Sequence, residues 1–188
     1  MFRIGIDIDG VLYPWADSAN EVMVEHWGYE DPGPHTTWDH LQQFTQPDHY
    51  VWAWSDEGMR VIFGKKKKYP NVEVFATLLN NPQNECHFVT HRNPAVLGAI
   101  TADYLGWLFP DSKWEGLHVC KKTDKTKILH WDYFIDDKPE TAEAMVIKGV
   151  QTYVPRRPWN RELEDNMGGH QYLMFYDDPG EVLEDIYG

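Results

Sequence analysis

The chain has 188 residues, 42% of them hydrophobic and 25% charged, which is enough apolar material for one domain with its own core. A formal net charge of -13 argues against a protein that grips nucleic acid polymers through a basic surface. No run approaches the roughly 18 consecutive apolar residues of a membrane span, so no membrane partner is expected.

The first predicted element is a buried strand over Phe2 to Ile8. It starts at once, which leaves no room for a signal peptide and predicts a cytoplasmic protein. Cys86 and Cys120 lack metal-type spacing and fit that setting as buried thiols, with a single disulfide as the other option. The strand belongs to the stretch IGIDIDGVLYP, residues 4 to 14. Alternation along a strand points Asp7 and Asp9 to the same side. Two like charges on one face repel each other and are costly to desolvate. Either Asp9-Gly10 is simply a turn at the strand end, or a cation or reacting group needs both carboxylates.

A helix is expected from about Asp17 to Trp27. Residues 28–70 then carry no convincing strand but hold Trp38, Phe44, Tyr50, Trp52, Trp54, Phe63 and Tyr69. Residues 15–70 are therefore read as a small, mostly helical cap inserted into an α/β core made of residues 1–14 and 71–188. Its aromatic rings suit a small core, with a few ring faces left for a cleft. Lys65 to Lys68 form a solvated loop or helix end, or a surface that gathers phosphate-bearing ligands.

Beyond the insert, a helix over Asn71 to Leu79 is followed by strands at His87 to Thr90, Leu117 to Cys120, Tyr133 to Ile135, Gln151 to Val154 and Tyr172 to Tyr176. Helices are predicted over Pro94 to Leu108 and over Pro139 to Lys148, the second opened by Pro139 and closed by Gly149. From Trp159 to the last residue, eight Asp and Glu face one Arg, which reads as a solvated acidic face. Strands alternating with helices predict a parallel sheet covered on both faces, with its ligand site at the carboxyl ends of the strands.

The polar residues at those ends form one chemical set. The first strand delivers Asp7 and Asp9, the second Thr90, and the fourth Asp136 and Asp137, while Lys125 opens a helical stretch after the third. Phosphoryl transfer through a carboxylate uses such a set. One carboxylate attacks phosphorus, and an acid two residues on protonates the leaving alkoxide. Further carboxylates hold Mg²⁺, and a hydroxyl and an ammonium steady the phosphoryl oxygens.

With DIDGV at Asp7 to Val11, Thr90 after a strand, Lys125, and IDD at Ile135 to Asp137, the sequence resembles the haloacid dehalogenase (HAD) superfamily, whose four motifs appear here in order. Within it, DIDGVLYPW, the DKT ahead of IDD, IDDKPE and YVPRRPWN resemble the 5'(3')-deoxyribonucleotidases and related phage and bacterial nucleotidases. The resemblance implies an α/β, Rossmann-like sheet with a cap after the first strand, and a Mg²⁺-dependent phosphatase acting through an aspartyl phosphate. Asp7 would be the nucleophile and a metal ligand. Asp9 would be the general acid and base, its backbone carbonyl on the metal. Thr90 and Lys125 would bind the phosphoryl group, and Asp136 and Asp137 would complete the metal site, directly or through water. The implied partner is a small phosphorylated substrate, a nucleoside monophosphate first, and a homodimer is compatible with it. Trp15 would lie beside the base, or serve only as the hinge of the cap.

Two details depart from the pattern. His91-Arg92 follows Thr90 where these nucleotidases place a small residue and Pro, so Arg92 adds a phosphate contact or starts the helix. The spacing from Lys125 to Asp136 is one residue longer, which keeps Lys121 and Lys122 as alternatives for the lysine role. A phosphatase for a sugar phosphate or other small metabolite is the main competing reading. A receiver-like signalling domain also uses acidic residues, Thr and Lys, but in a different order. A glycosyltransferase with a DxD metal site would not need the Thr, Lys and DD.

Overall fold

The structure, a computed structural model, describes residues 1–37, 39–92, 94–120 and 125–188, and of residues 94–96 it describes the backbone alone. Six strands form one parallel sheet: β1 (Phe2–Ile6), β2 (Asn84–His91), β3 (Gly116–Cys120), β4 (Tyr133–Ile135), β5 (Gln151–Pro155) and β6 (Leu173–Tyr176). Their order is β3-β2-β1-β4-β5-β6, so the direction of winding reverses between β1 and β4. Doubly wound sheets leave a crevice at that reversal, outside the carboxyl ends of the strands. Ile4, Ile6, Phe88, Phe134 and Ile135 are fully buried, as expected of strands covered on both faces.

Helices α1 (Trp15–Trp27), α2 (His40–Phe44), α3 (Pro47–Ala53) and α4 (Asp56–Gly64) lie between β1 and β2, together with a 3₁₀ turn (Val72–Phe75) and α5 (Ala76–Asn80). Side chains of α1 and α4, among them Val22, Met59 and Phe63, belong to the same apolar cluster as Ile4 and Ile6. The inserted aromatics thus extend the sheet's core instead of making a separate one. Tyr13, Phe63 and Tyr104 illustrate this, with Tyr13 stacked on Phe63 at 4.2 Å and edge-on to Tyr104 at 5.0 Å. Trp38 lies outside the described residues.

The remaining helices are α6 (Pro94–Leu108), α7 (Pro139–Ile147), α8 (Arg161–Met167) and α9 (Pro179–Tyr187). Among the described residues, no helix is long and apolar enough to cross a membrane. Both cysteines are buried free thiols.

Several local expectations differ from what the chain does. β1 ends at Ile6, two residues early, because the Ile8 carbonyl accepts from both Leu12 and Tyr13 and the backbone closes into a loop. The stretch 71–79 is not one helix. Asn71 has φ 60°, and the chain resumes as a 3₁₀ turn before α5. Lys125 opens only a single 3₁₀ turn, Lys125–Lys127. The acidic tail carries two helices. At α9, Asp178 accepts from the Gly180 amide while Glu181 accepts from the Asp178 amide, the reciprocal cap that starts a helix. The lysine run is taken up by neighbours: Lys65 and Lys67 pair with Glu21, and Lys68 with Glu73.

Candidate active site

The strand-end residues meet at the reversal between β1 and β4. The Asp7 amide donates to the Ile135 carbonyl (2.8 Å), and the Asp136 amide to the Tyr153 carbonyl (3.1 Å). Both residues therefore continue the ladder just past their strands, side by side. Asp7, Asp136 and Asp137 are 4%, 0% and 1% exposed, and one oxygen from each lies within 4.8 Å of the others. Lys125 Nζ reaches Asp7 Oδ1 at 2.9 Å and Asp136 Oδ2 at 2.7 Å. The turn bearing Lys125 is pinned from outside. Its carbonyl accepts from Trp131 Nε1 (3.2 Å), and Lys148 donates to the backbone and hydroxyl oxygens of Thr126.

The charges in this cluster do not balance. Among the described residues, three buried carboxylates face one ammonium, with the Arg157 guanidinium a lesser influence on Asp137. Burial pushes Asp7 up to about 7, against the pull of Lys125 and with help from Asp136 and Asp9. Burial also raises Asp137 well above the usual carboxylate range, with Asp7 and Asp136 adding to it. Lys125 responds the other way: burial favours its neutral form, but Asp136 and Asp7 more than reverse that and raise it. Asp137 Oδ1 is buried without a hydrogen-bond partner among the described residues. Excess negative charge, hard oxygen donors and an unused carboxylate oxygen together suit a divalent cation.

Asp9 lies outside that cluster, on the loop that follows β1. Its carboxylate accepts from Arg92 at both oxygens, Nη2 to Oδ1 (2.5 Å) and Nε to Oδ2 (3.1 Å), and from Thr90 Oγ1 (3.3 Å). Arg92 is the sequence candidate whose setting differs most from expectation. It neither starts α6 nor reaches into open space, and its side chain is fully buried against Asp9. Lys121 and Lys122, and the DKT motif apart from its Lys125-Thr126 continuation, lie outside the described residues.

A cavity of about 210 Å³ opens above Asp9, Gly10 and Asp137. Trp15, Tyr50, Trp54, Tyr69 and Trp159 contribute aromatic rings to its walls, beside His35, Asp39 and Gln42. Trp15 is only 9% exposed. Its ring stacks on Trp54 at 4.1 Å and its Nε1 donates to Met59 Sδ at 3.3 Å. Trp54, at 38%, is the more exposed of the pair.

Three residues after β5, inside the YVPRRPWN stretch that carried no predicted role, also contact the site. Trp159 Nε1 donates to Asp137 Oδ2 (3.0 Å), Asn160 Nδ2 donates to the Asp137 carbonyl (3.3 Å), and Arg157 Nε donates to the Gly10 carbonyl (3.1 Å). They follow the carboxyl end of a strand, so the rule that selected Thr90 and Asp136 applies to them too.

No protein-family model and no curated protein matches the sequence. Solved structures do match its fold. A candidate β-phosphoglucomutase from Thermotoga maritima aligns with a TM-score of 0.62 at 15% identity, over 99% of this chain and 98% of the other. A haloacid dehalogenase-like hydrolase from Streptococcus pneumoniae aligns with a TM-score of 0.60 at 13% identity, over the same shares. The D,D-heptose 1,7-bisphosphate phosphatase of B. bronchiseptica, solved with magnesium and phosphate, aligns with a TM-score of 0.52 at 13% identity, again over 99% and 98%. The chain thus has the α/β fold of the haloacid dehalogenase-like proteins.

Proposed function

We propose that this protein is a Mg²⁺-dependent phosphomonoester hydrolase that works through an aspartyl phosphate on Asp7. The observation that carries the reading is the set of three buried carboxylates facing the ammonium of Lys125 at the reversal of the sheet. Asp7, Asp136, Asp137 and the Asp9 backbone carbonyl would hold the cation. Bound there, Mg²⁺ offsets the charge that would otherwise keep a phosphate away from Asp7.

The chain's own residues then do the chemistry. Asp7 attacks phosphorus, and the bond from phosphorus to the leaving oxygen breaks as Asp9, which enters the step protonated, gives that oxygen its proton. Asp9 next takes a proton from a water molecule that attacks the phosphoryl aspartate, which releases inorganic phosphate and restores Asp7. Thr90 and Lys125 hold the phosphoryl oxygens during both steps.

Residues 15–70 act as the cap that selects the substrate. The aromatic walls above Asp9 favour a flat ring on the leaving group, which supports a nucleoside monophosphate. A sugar phosphate is the second reading, supported by the heptose bisphosphate phosphatase among the structural neighbours. Phosphate release from a panel of nucleoside monophosphates and sugar phosphates, with Mg²⁺ present, tests both. Turnover of either class supports the hydrolase, and the preferred class selects the substrate reading. No phosphate release from any member would overturn the proposal.

A further inference from the structure

The carboxylate of Asp9 is held at both oxygens, and the residue that holds it is itself locked. Arg92 forms a two-point fork on Asp9, the geometry in which a guanidinium fixes the plane of a carboxylate as well as its position. The Arg92 side chain has no exposed surface. Its Nη1 donates to Thr101 Oγ1 (2.7 Å), whose hydroxyl donates in turn to the Leu97 carbonyl (2.7 Å). Phe63 of α4 covers the guanidinium at 4.1 Å, and the Arg92 amide donates to the Cys120 carbonyl. Three of its five N–H donors are engaged and the side chain is fully buried, so it can meet an incoming phosphate only if the packing around it opens.

We propose that Arg92 is a positioning residue that holds the Asp9 carboxylate towards the leaving oxygen, rather than a phosphate ligand. This rests on the hydrolase reading above. The hydroxyl of Thr90 explains why a second anchor is needed. It carries one proton, now donated to Asp9. Once that proton serves a phosphoryl oxygen, Arg92 is what keeps Asp9 in place. Through Phe63, Arg92 is also a point where the inserted helices touch the proton-transfer machinery.

The consequence depends on the leaving group. An alkoxide needs a proton as it departs, whereas p-nitrophenolate is a stable anion that leaves without one. Arg92→Met, Arg92→Lys and Thr101→Val are compared with wild type on glycerol 2-phosphate and on p-nitrophenyl phosphate, with Mg²⁺ saturating. Arg92→Met is expected to lower kcat/KM on glycerol 2-phosphate by about a hundredfold, and on p-nitrophenyl phosphate by at least about tenfold less. Arg92→Lys should regain part of the lost alkyl-phosphate activity, and Thr101→Val, which keeps the guanidinium, should lose the same activity to a smaller degree. In an Asp9→Asn background, Arg92→Met should add little, because it acts through Asp9. Equal losses on the two substrates, losses that add in the double variant, or no loss at all would overturn the inference. If wild type hydrolyses neither ester, the comparison is made on the alkyl phosphate it does turn over from the panel above. A wild-type protein that hydrolyses neither ester nor any panel member would remove the hydrolase reading, and the inference with it.

Discussion

The carboxylate of Asp137 occupies the space that a side chain on Gly10 would need. A Cβ built at Gly10 falls on the Asp137 carboxyl group, and Gly10 has φ +82°, a conformation that L side chains rarely adopt. The turn after Asp9 and the second carboxylate beyond β4, Asp137, are therefore fitted to one another, and glycine is the residue that permits it.

Gly10→Ala should act twice. The strained φ alone costs about 1–2 kcal/mol, seen as a lower Tm. Displacement of Asp137 should also weaken Mg²⁺ binding, seen as a higher Mg²⁺ concentration at half-maximal activity. A variant with wild-type Tm and wild-type Mg²⁺ dependence would contradict the fit described here.

The second prediction concerns the metal. Three buried carboxylates with one ammonium should bind Mg²⁺ in the folded state alone, so millimolar Mg²⁺ should raise Tm and EDTA should reverse the rise. Asp137→Asn should reduce that rise. Ca²⁺ should bind without supporting turnover, because it takes more ligands in looser geometry and misplaces Asp7. Full activity after exhaustive dialysis against EDTA would contradict the reading.

The third concerns the paired indoles. Both rings line the cavity and stack on each other, but Trp54 is the more exposed and Trp15 the more buried. If the substrate is a nucleotide, Trp54→Ala should raise KM for a nucleoside monophosphate by roughly tenfold and barely change a sugar phosphate. Trp15→Ala should instead lower stability by about 3–5 kcal/mol, the cost of truncating a buried aromatic. Equal effects of Trp54→Ala on both substrates would favour the sugar-phosphate reading.

The fourth concerns pH. His35 lines the cavity, packs edge-on against Trp159, and is pushed down to about 4, mainly by burial and then by His40. The unfolded chain therefore binds more protons at this position than the folded one, between about pH 4 and the usual histidine value near 6.5. The His35 contribution to stability should fall as pH drops from 7 to 5, while the raised Asp7 and Asp137 act the other way. Over that range Tm should therefore change less favourably in wild type than in His35→Gln. Tm measured across that range checks it, and parallel curves would show that His35 does not titrate in this way.

Much of this was legible in the sequence, for identifiable reasons. Asp7, Thr90, Asp136 and Asp137 each follow an apolar run, and a parallel sheet gathers strand ends at one edge, so their meeting follows from pattern alone. The mixture of aromatics after β1 marked an insert but not its packing, because which rings pair depends on contacts between segments distant in sequence, such as Trp15 with Trp54. Arg92 was harder still. Its position after Thr90 offered a phosphate contact or a helix start, and its partners in the structure, Asp9, Thr101 and Phe63, come from three separate elements. Helices α8 and α9 were missed because the tail was weighed by its charge, while the Asp178-Pro179-Gly180-Glu181 cap was there to be read.

The central claim is that Asp7 carries the phosphoryl group during turnover. Acid quenching of the protein during steady-state hydrolysis of p-nitrophenyl phosphate, followed by peptide mass spectrometry, tests it directly. The account predicts a phosphate adduct on the peptide containing Asp7, absent from the substrate-free control. It also predicts that Asp7→Asn folds normally but loses turnover by more than about a thousandfold, because an amide cannot form the acyl phosphate. Turnover without any adduct on that peptide, together with an Asp7→Asn protein that retains wild-type activity to within about tenfold, would contradict it.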